Sequence, residues 1–340
     1  MNSEDTRITW IDKLKGLAIF FVVLGHMPYE EDTVIIKSLI YSFHMPLFFL
    51  LAGCTAAISI KKTTSILFLR KRFISVFVPY IVWCAVYGLF FNKSLSSLTN
   101  YNIKEHFLCF IQGDVTNWFL ACLFMLHVLY TIYNVAVSRI NNNYGKILIA
   151  LILFALIAAL HKLYGNTSQD TNFPLYFLTS AYVYFIPFAC GVMISQSAKV
   201  YNFILKDQIF ISLCITISLI TPGLIHTLNF GANYPKVITG ICVSCLLIKL
   251  FTIKGTFPSF LSSVKNMLAV FGKYSLGIYL MSGLMIPATS LNLNGGIEAF
   301  IIYGAISIII CLLCIGLEKL MSQSKFFSLI FFGKPIKQSK

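Results

Sequence analysis

The stretch GLAIFFVVLGHMPYEED, residues 16–32, runs ten residues without a charge before it reaches His26. Lys15 stands just ahead of it, and Glu30, Glu31 and Asp32 close it. An apolar run bounded by charges reads as a membrane helix. At 1.5 Å per residue, His26 lies about 16 Å beyond Lys15. If Lys15 marks the inner interface, the imidazole falls near the middle of a hydrocarbon layer roughly 30 Å thick. A titratable side chain at that depth is costly, which makes it a functional candidate by default.

The rest of the chain reads the same way. Of its 340 residues, 58% are hydrophobic and 11% are charged, with a mean hydropathy of +0.82. A soluble domain carries about 25% charged residues. Ten candidate spans follow: 15–30, 35–59, 73–92, 117–138, 146–161, 175–195, 208–228, 236–253, 267–290 and 297–320. No period-two alternation is sustained, so a β-barrel is not expected. The expectation is an all-α, polytopic membrane protein with one integral-membrane domain over residues 1–340.

Ten spans put both termini on one side. Twenty-one of the 26 Lys and Arg residues then share that side, and five, Lys37, Lys93, Lys104, Lys162 and Lys236, lie opposite. The positive-inside bias makes both termini cytoplasmic, in the cell (cytoplasmic) membrane. Topology accounts for the net charge of +14, and nucleic acid is not implied as a partner. Residues 13–30 lack a small-x-small cleavage site, so a removed signal peptide is not expected. The longest outer loop, 93–116, contains a candidate interfacial helix at 102–112, and the loop at 164–173 is polar and turn-rich.

Ten cysteines invite a metal or disulfide reading. The CxxC pairs Cys242–Cys245 and Cys311–Cys314 sit inside apolar runs with no further ligand nearby, which fits packing rather than metal. No metal is expected. His44, in SLIYSFHMPLFFLLAG, returns from the outside to a depth similar to that of His26, on the adjacent antiparallel span. Either histidine can instead serve as an interhelical hydrogen-bonding residue. His127 takes that structural reading. Residues 60–72, IKKTTSILFLRKR, form a basic connector in which Arg70, Lys71 and Arg72 crowd the inner end of the third span. They read as topology anchors, or as a phosphate clamp, because guanidinium forks bind phosphate oxygens bidentately.

RITWIDKLKGLAIFFVVLGH (7–26) resembles the first helix of acyltransferase-3 family membrane proteins, in the branch of fucose acetylase-like sugar O-acetylases. The basic residue, ten residues and histidine match as Lys15 and His26, with Asp12 in place. YSFHMPLFFLLAG (41–53), RFISVFVPYIVW (72–83), NWFLACLF (117–124), YFIPFACGVMIS (184–195) and FGKYSLGIYLM (271–281) resemble later family segments in the same order. Two positions depart. Relatives carry a second arginine before the third helix where this chain has Leu69 or Ser75, and a late histidine where it has Ser282.

The resemblance implies acetyl transfer from cytoplasmic acetyl-CoA to a hydroxyl of a glycan or lipid-linked sugar outside. His26 would act as general base or nucleophile. Apolar burial would keep it neutral. His44 would assist it. Lys15, Arg70, Lys71 and Arg72 would meet the donor phosphates, and Asp12 would orient Lys15 or Arg7. Asn117 and Trp118 would line the acceptor side, although Trp118 also fits an interfacial aromatic belt. A glycan-intermediate transporter or flippase, or a non-catalytic component of polysaccharide export, would share the spans without needing a thioester donor.

Overall fold

A computed structural model describes residues 3–29, 34–91, 117–164, 176–227, 233–253, 258–287, 289, 291 and 296–334. Among these residues every regular element is helical. In chain order they are α1 (Ser3–Gly25), α2 (Val34–Ile60), α3 (Ser65–Arg72), a π-helical turn (Phe73–Phe77), α4 (Val78–Phe91) and α5 (Trp118–Val137). Then come α6 (Asn143–Tyr164), α7 (Tyr176–Gln196), α8 (Ala198–Lys206), α9 (Gln208–Thr227) and α10 (Asn233–Thr252). The last are α11 (Ser259–Lys273), α12 (Ser275–Ser282), α13 (Gly296–Met321) and α14 (Lys325–Phe332). The loop at 93–116 with its candidate helix, most of the loop at 164–173, the carboxylates Glu30–Asp32 and the side chain of Arg7 lie outside the described residues.

Five described helices are long and apolar enough to cross a membrane, or six if α7 and α8, bent by 103°, form one span. The five are Lys37–Ile60, Trp118–Val137, Asn143–Leu163, Pro235–Thr252 and Gly296–Met321. The other expected spans differ for local reasons. The first half of α1 carries Glu4, Asp5, Arg7, Asp12, Lys13 and Lys15, which interrupt its apolar run. The span expected at 267–290 breaks at Tyr274, where α11 gives way to α12. The third opens with the π turn, where the Val78 N–H reaches back to the Phe73 carbonyl. Pro79 supplies a reason: it has no N–H for the Ser75 carbonyl, and a π turn reroutes the bonding around that gap.

The chain divides into two compact units, Met1–Ala57 with Ile186–Leu320, and Ile58–Phe185 with Met321–Lys340. In the first, glycines bring helices into backbone contact. A Cβ on Gly16 would lie 1.8 Å from the Leu268 carbonyl oxygen, and one on Gly272 1.8 Å from that of Asp12. Thus α1 and α11 cross where neither has a side chain. The same reciprocal fit joins α2 and α7. A Cβ on Gly53 would meet the Phe188 oxygen at 2.0 Å, and one on Gly191 the Leu50 oxygen at 1.9 Å. Cys54 seals that crossing by donating its thiol to the Gly191 carbonyl at 3.2 Å, a packing role for cysteine. Small residues that let backbones touch are the usual basis of helix association in lipid.

Further along α2, Pro46 removes the N–H that would bond the Ser42 carbonyl. Gly240 of α10 packs there, since a Cβ on it would lie 2.4 Å from the proline ring. Gly53→Ala or Gly191→Ala is expected to destabilise the protein by about 1–3 kcal/mol, the usual cost of forcing a methyl into a filled contact. Thermal melts followed by size-exclusion chromatography in detergent check this. An unchanged midpoint for both variants would contradict the crossing.

In the second unit, Thr64 caps α3 by accepting from the Leu67 N–H. The closing helix α14 ends in an αL cap, with Gly333 N–H to Leu329 O at 2.9 Å, and Lys334 N–H reaches Ser328 O at 3.1 Å. Gly333 has φ +59°, and a Cβ there would lie 2.4 Å from Ser75 Cα, so conformation and space both require glycine. Trp83 of α4 donates its indole N–H to the Phe331 carbonyl at 3.0 Å, which fixes α14 against α4.

Candidate active site

In the first unit, α1 stops at Gly25 because Pro28 cannot continue it and disfavours helical backbone in the residue before. His26 is therefore in the turn that closes the helix rather than inside it. Its N–H bonds the Val22 and Val23 carbonyls, each at 3.2 Å. The ring Nδ1 lies 2.8 Å from the Val22 carbonyl oxygen. A carbonyl only accepts, so Nδ1 carries the hydrogen, and in the neutral ring the lone pair is on Nε2. The apolar burial expected for His26 does not hold: the ring is exposed, because a residue in a terminal turn leaves the packed face of its helix.

His44 has the same anchor in a different setting. Its Nδ1 donates to the Ile40 carbonyl at 2.7 Å, and only 2% of the residue is exposed. Tyr41 lies between the two histidines, with ring centroids 6.0 Å from His26 and 5.0 Å from His44. The Lys37 ammonium stands 5.9 Å from the Tyr41 centroid. Gly25 makes room for this ring cluster, since a Cβ on it would press to 3.2 Å of the Tyr41 ring and 3.0 Å of Ile40. The structure brings His26 and His44 into one cluster, to which Tyr41 and Lys37 are additions. Their sequence signal was the i, i+3 and i+4 spacing of Lys37, Tyr41 and His44 on one helix face.

Lower on α1, Asp12 and Lys15 are half-buried, and the Asp12 carbonyl is the group that meets Gly272. Ser282, in the place of the family histidine, is buried at the end of α12.

The second unit holds a cavity of about 280 Å³ lined by Ser59, Lys62, Thr63, Phe68, Lys71 and Arg72. Arg72 lies over the Phe68 ring at 5.0 Å and donates to the Ser59 hydroxyl at 2.8 Å. Its Nε is buried and has no hydrogen-bond partner. Lys71 and Arg72 thus meet at the cavity with Lys62, while Arg70 is exposed and not among the lining residues. Sequence reading placed Lys62 in the basic connector without assigning it, and it missed Ser59 and Thr63. The other second-unit candidates are not among the cavity's lining residues. Asn117 is buried at the start of α5, and Trp118 stacks on Tyr184 with centroids 5.6 Å apart. His127 is buried beside Phe68, with ring centroids 5.7 Å apart.

An acyltransferase-domain family model, that of the acyltransferase-3 group, matches residues 8–316. The chain belongs to the acyltransferase-3 family. The match runs from α1 into α13, so both histidines, the basic cavity and the glycine crossings all lie within this acyltransferase domain. Nodulation protein NolL of Sinorhizobium fredii (strain NBRC 101917 / NGR234) is 33% identical over 86 residues, covering 22% of this chain and 23% of that protein. The similarity to that relative therefore spans about a quarter of its length. No solved structure matches. Among the described residues, five or six helices long and apolar enough to cross a membrane accompany this family match.

Proposed function

We propose that this acyltransferase moves an acetyl group from cytoplasmic acetyl-CoA to a sugar hydroxyl of a cell-surface glycan or glycolipid. The observation that carries the reading is the His26 ring, held at Nδ1 by Val22 and exposed, with its Nε2 lone pair unspent. As general base, Nε2 takes the proton of the acceptor hydroxyl while the sugar oxygen attacks the thioester carbonyl. The C–S bond breaks, and the imidazolium returns its proton to the CoA thiolate. His44 and Tyr41 orient the ring, acting through packing rather than through contact with the reacting atoms.

The cavity at Ser59–Arg72 suits the donor phosphates. Lys62, Lys71 and Arg72 supply charge, Ser59 and Thr63 supply hydroxyls, and the unpartnered Arg72 Nε offers a further donor. The family resemblance assigns Lys15 to the donor and Asn117 and Trp118 to the acceptor. The inner orientation of residues 61–72 rests on the distribution of basic residues, which puts both termini in the cytoplasm.

Glycan mass spectrometry of cells with and without the gene tests the reading. Loss of one acetyl group per modified sugar is expected. Identical acetylation with altered glycan export would instead favour a transporter or an export component.

A further inference from the structure

The turn that carries His26 is short of hydrogen bonds on one side. Met27 N–H reaches the Leu24 carbonyl at 3.2 Å and Tyr29 N–H the Met27 carbonyl at 2.9 Å. Pro28 has no N–H, so its carbonyl is the only hydrogen-bonding group that it contributes. A residue from the far end of the chain meets it. The Tyr303 hydroxyl, in the second turn of α13, donates to the Pro28 carbonyl at 3.0 Å. The same oxygen accepts the Leu291 N–H at 3.1 Å. Tyr303 is 2% exposed, and its ring meets Tyr29 edge to face, with centroids 5.1 Å apart.

We infer that Tyr303 is a positioning residue for His26, a phenol that latches the turn two residues beyond the imidazole to the segment leading into α13. Both capacities of the hydroxyl are used, one for each strand of chain that it joins. His26 is then held from two directions, by Val22 through its own Nδ1 and by Tyr303 through Pro28. Without the hydroxyl, the Pro28 carbonyl and the Leu291 N–H lose their shared partner and the turn is free to shift. Displacement of a reacting group by about 1 Å can cost a hundredfold in rate. The expected cost is therefore in turnover, while donor affinity stays with the cavity at Ser59–Arg72. The inference rests on the catalytic reading of His26 for its kinetic consequence, but the latch itself is a statement about geometry.

Tyr303→Phe keeps the ring and removes both bonds. In the full-length protein in detergent micelles, ¹⁵N-histidine NMR, with the His26 signal assigned by its loss in His26→Gln, is expected to show the Nδ1–H tautomer in the wild type. Tyr303→Phe should give a shifted or mixed signal. Steady-state acetyl transfer should fall roughly ten- to a hundredfold in kcat at unchanged KM for acetyl-CoA. Tyr29→Phe removes a buried hydroxyl that makes no hydrogen bond and should change neither readout. Placing 4-aminophenylalanine at position 303 restores a donor toward Pro28 and should recover both. It also serves as the folded test if Tyr303→Phe is not monodisperse, and failure of this variant to recover the His26 signal overturns the inference. So does an unchanged His26 signal in Tyr303→Phe, whatever its kcat. A shifted signal in a protein whose wild type transfers no acetyl group keeps the latch and removes the acetyltransferase reading instead.

Discussion

His26→Gln is expected to abolish acetyl transfer while acetyl-CoA still binds. General acid–base catalysis by one side chain contributes roughly 10²–10⁴-fold, and loss of a nucleophile would cost at least as much. Gln can replace the hydrogen bond to the Val22 carbonyl at 2.8 Å, but it cannot accept a proton at neutral pH. The variant therefore separates the anchor from the chemistry. His26→Ala removes both and should be equally inactive, with expression retained because the ring is exposed and supports little packing. His44→Gln should be milder, since His44 is buried against the Tyr41 ring, with centroids 5.0 Å apart, while the His26 ring is exposed. An inactive His44→Gln beside a fully active His26→Gln would put the base on α2.

The second large effect concerns the donor. Lys62, Lys71 and Arg72 changed together to Gln should raise KM for acetyl-CoA well over tenfold with little change in kcat. Each charge-assisted hydrogen bond contributes about 1.5–3 kcal/mol, so loss of even one is measurable. Arg72→Lys keeps the charge but loses the planar fork that lies over Phe68 and reaches Ser59, and it should recover only part of the affinity. Arg70→Gln should be close to neutral, because Arg70 does not line the cavity. Because Arg72 also ties α3 to Ser59, melting curves of each variant must accompany the kinetics. Unaltered donor affinity in a folded triple variant would leave these residues as topology anchors alone.

Much of this was legible in the sequence, through residues whose spacing carries the physics. Lys15 and His26, the apolar runs at 117–138 and 297–320, and the basic connector at 60–72 all announce themselves locally. The exposure of His26 did not, because it depends on α1 ending one residue earlier, a boundary set by Pro28. The cavity hid because Ser59 and Thr63 are ordinary residues at a helix end and gain meaning only when Arg72 folds back to Ser59. The glycine crossings pair residues more than 130 positions apart, as at Gly53 and Phe188, and no local pattern reports such a partner. Tyr303 is one of 17 tyrosines, and nothing in its neighbours marks the one that reaches Pro28.

The most direct test uses purified protein in proteoliposomes loaded with isotopically labelled acetyl-CoA, with an acceptor glycan supplied only outside. Labelled acetyl groups should appear on the outer glycan with the wild type and not with His26→Gln, although both proteins bind the donor equally. Equal labelling by the two proteins would contradict the account.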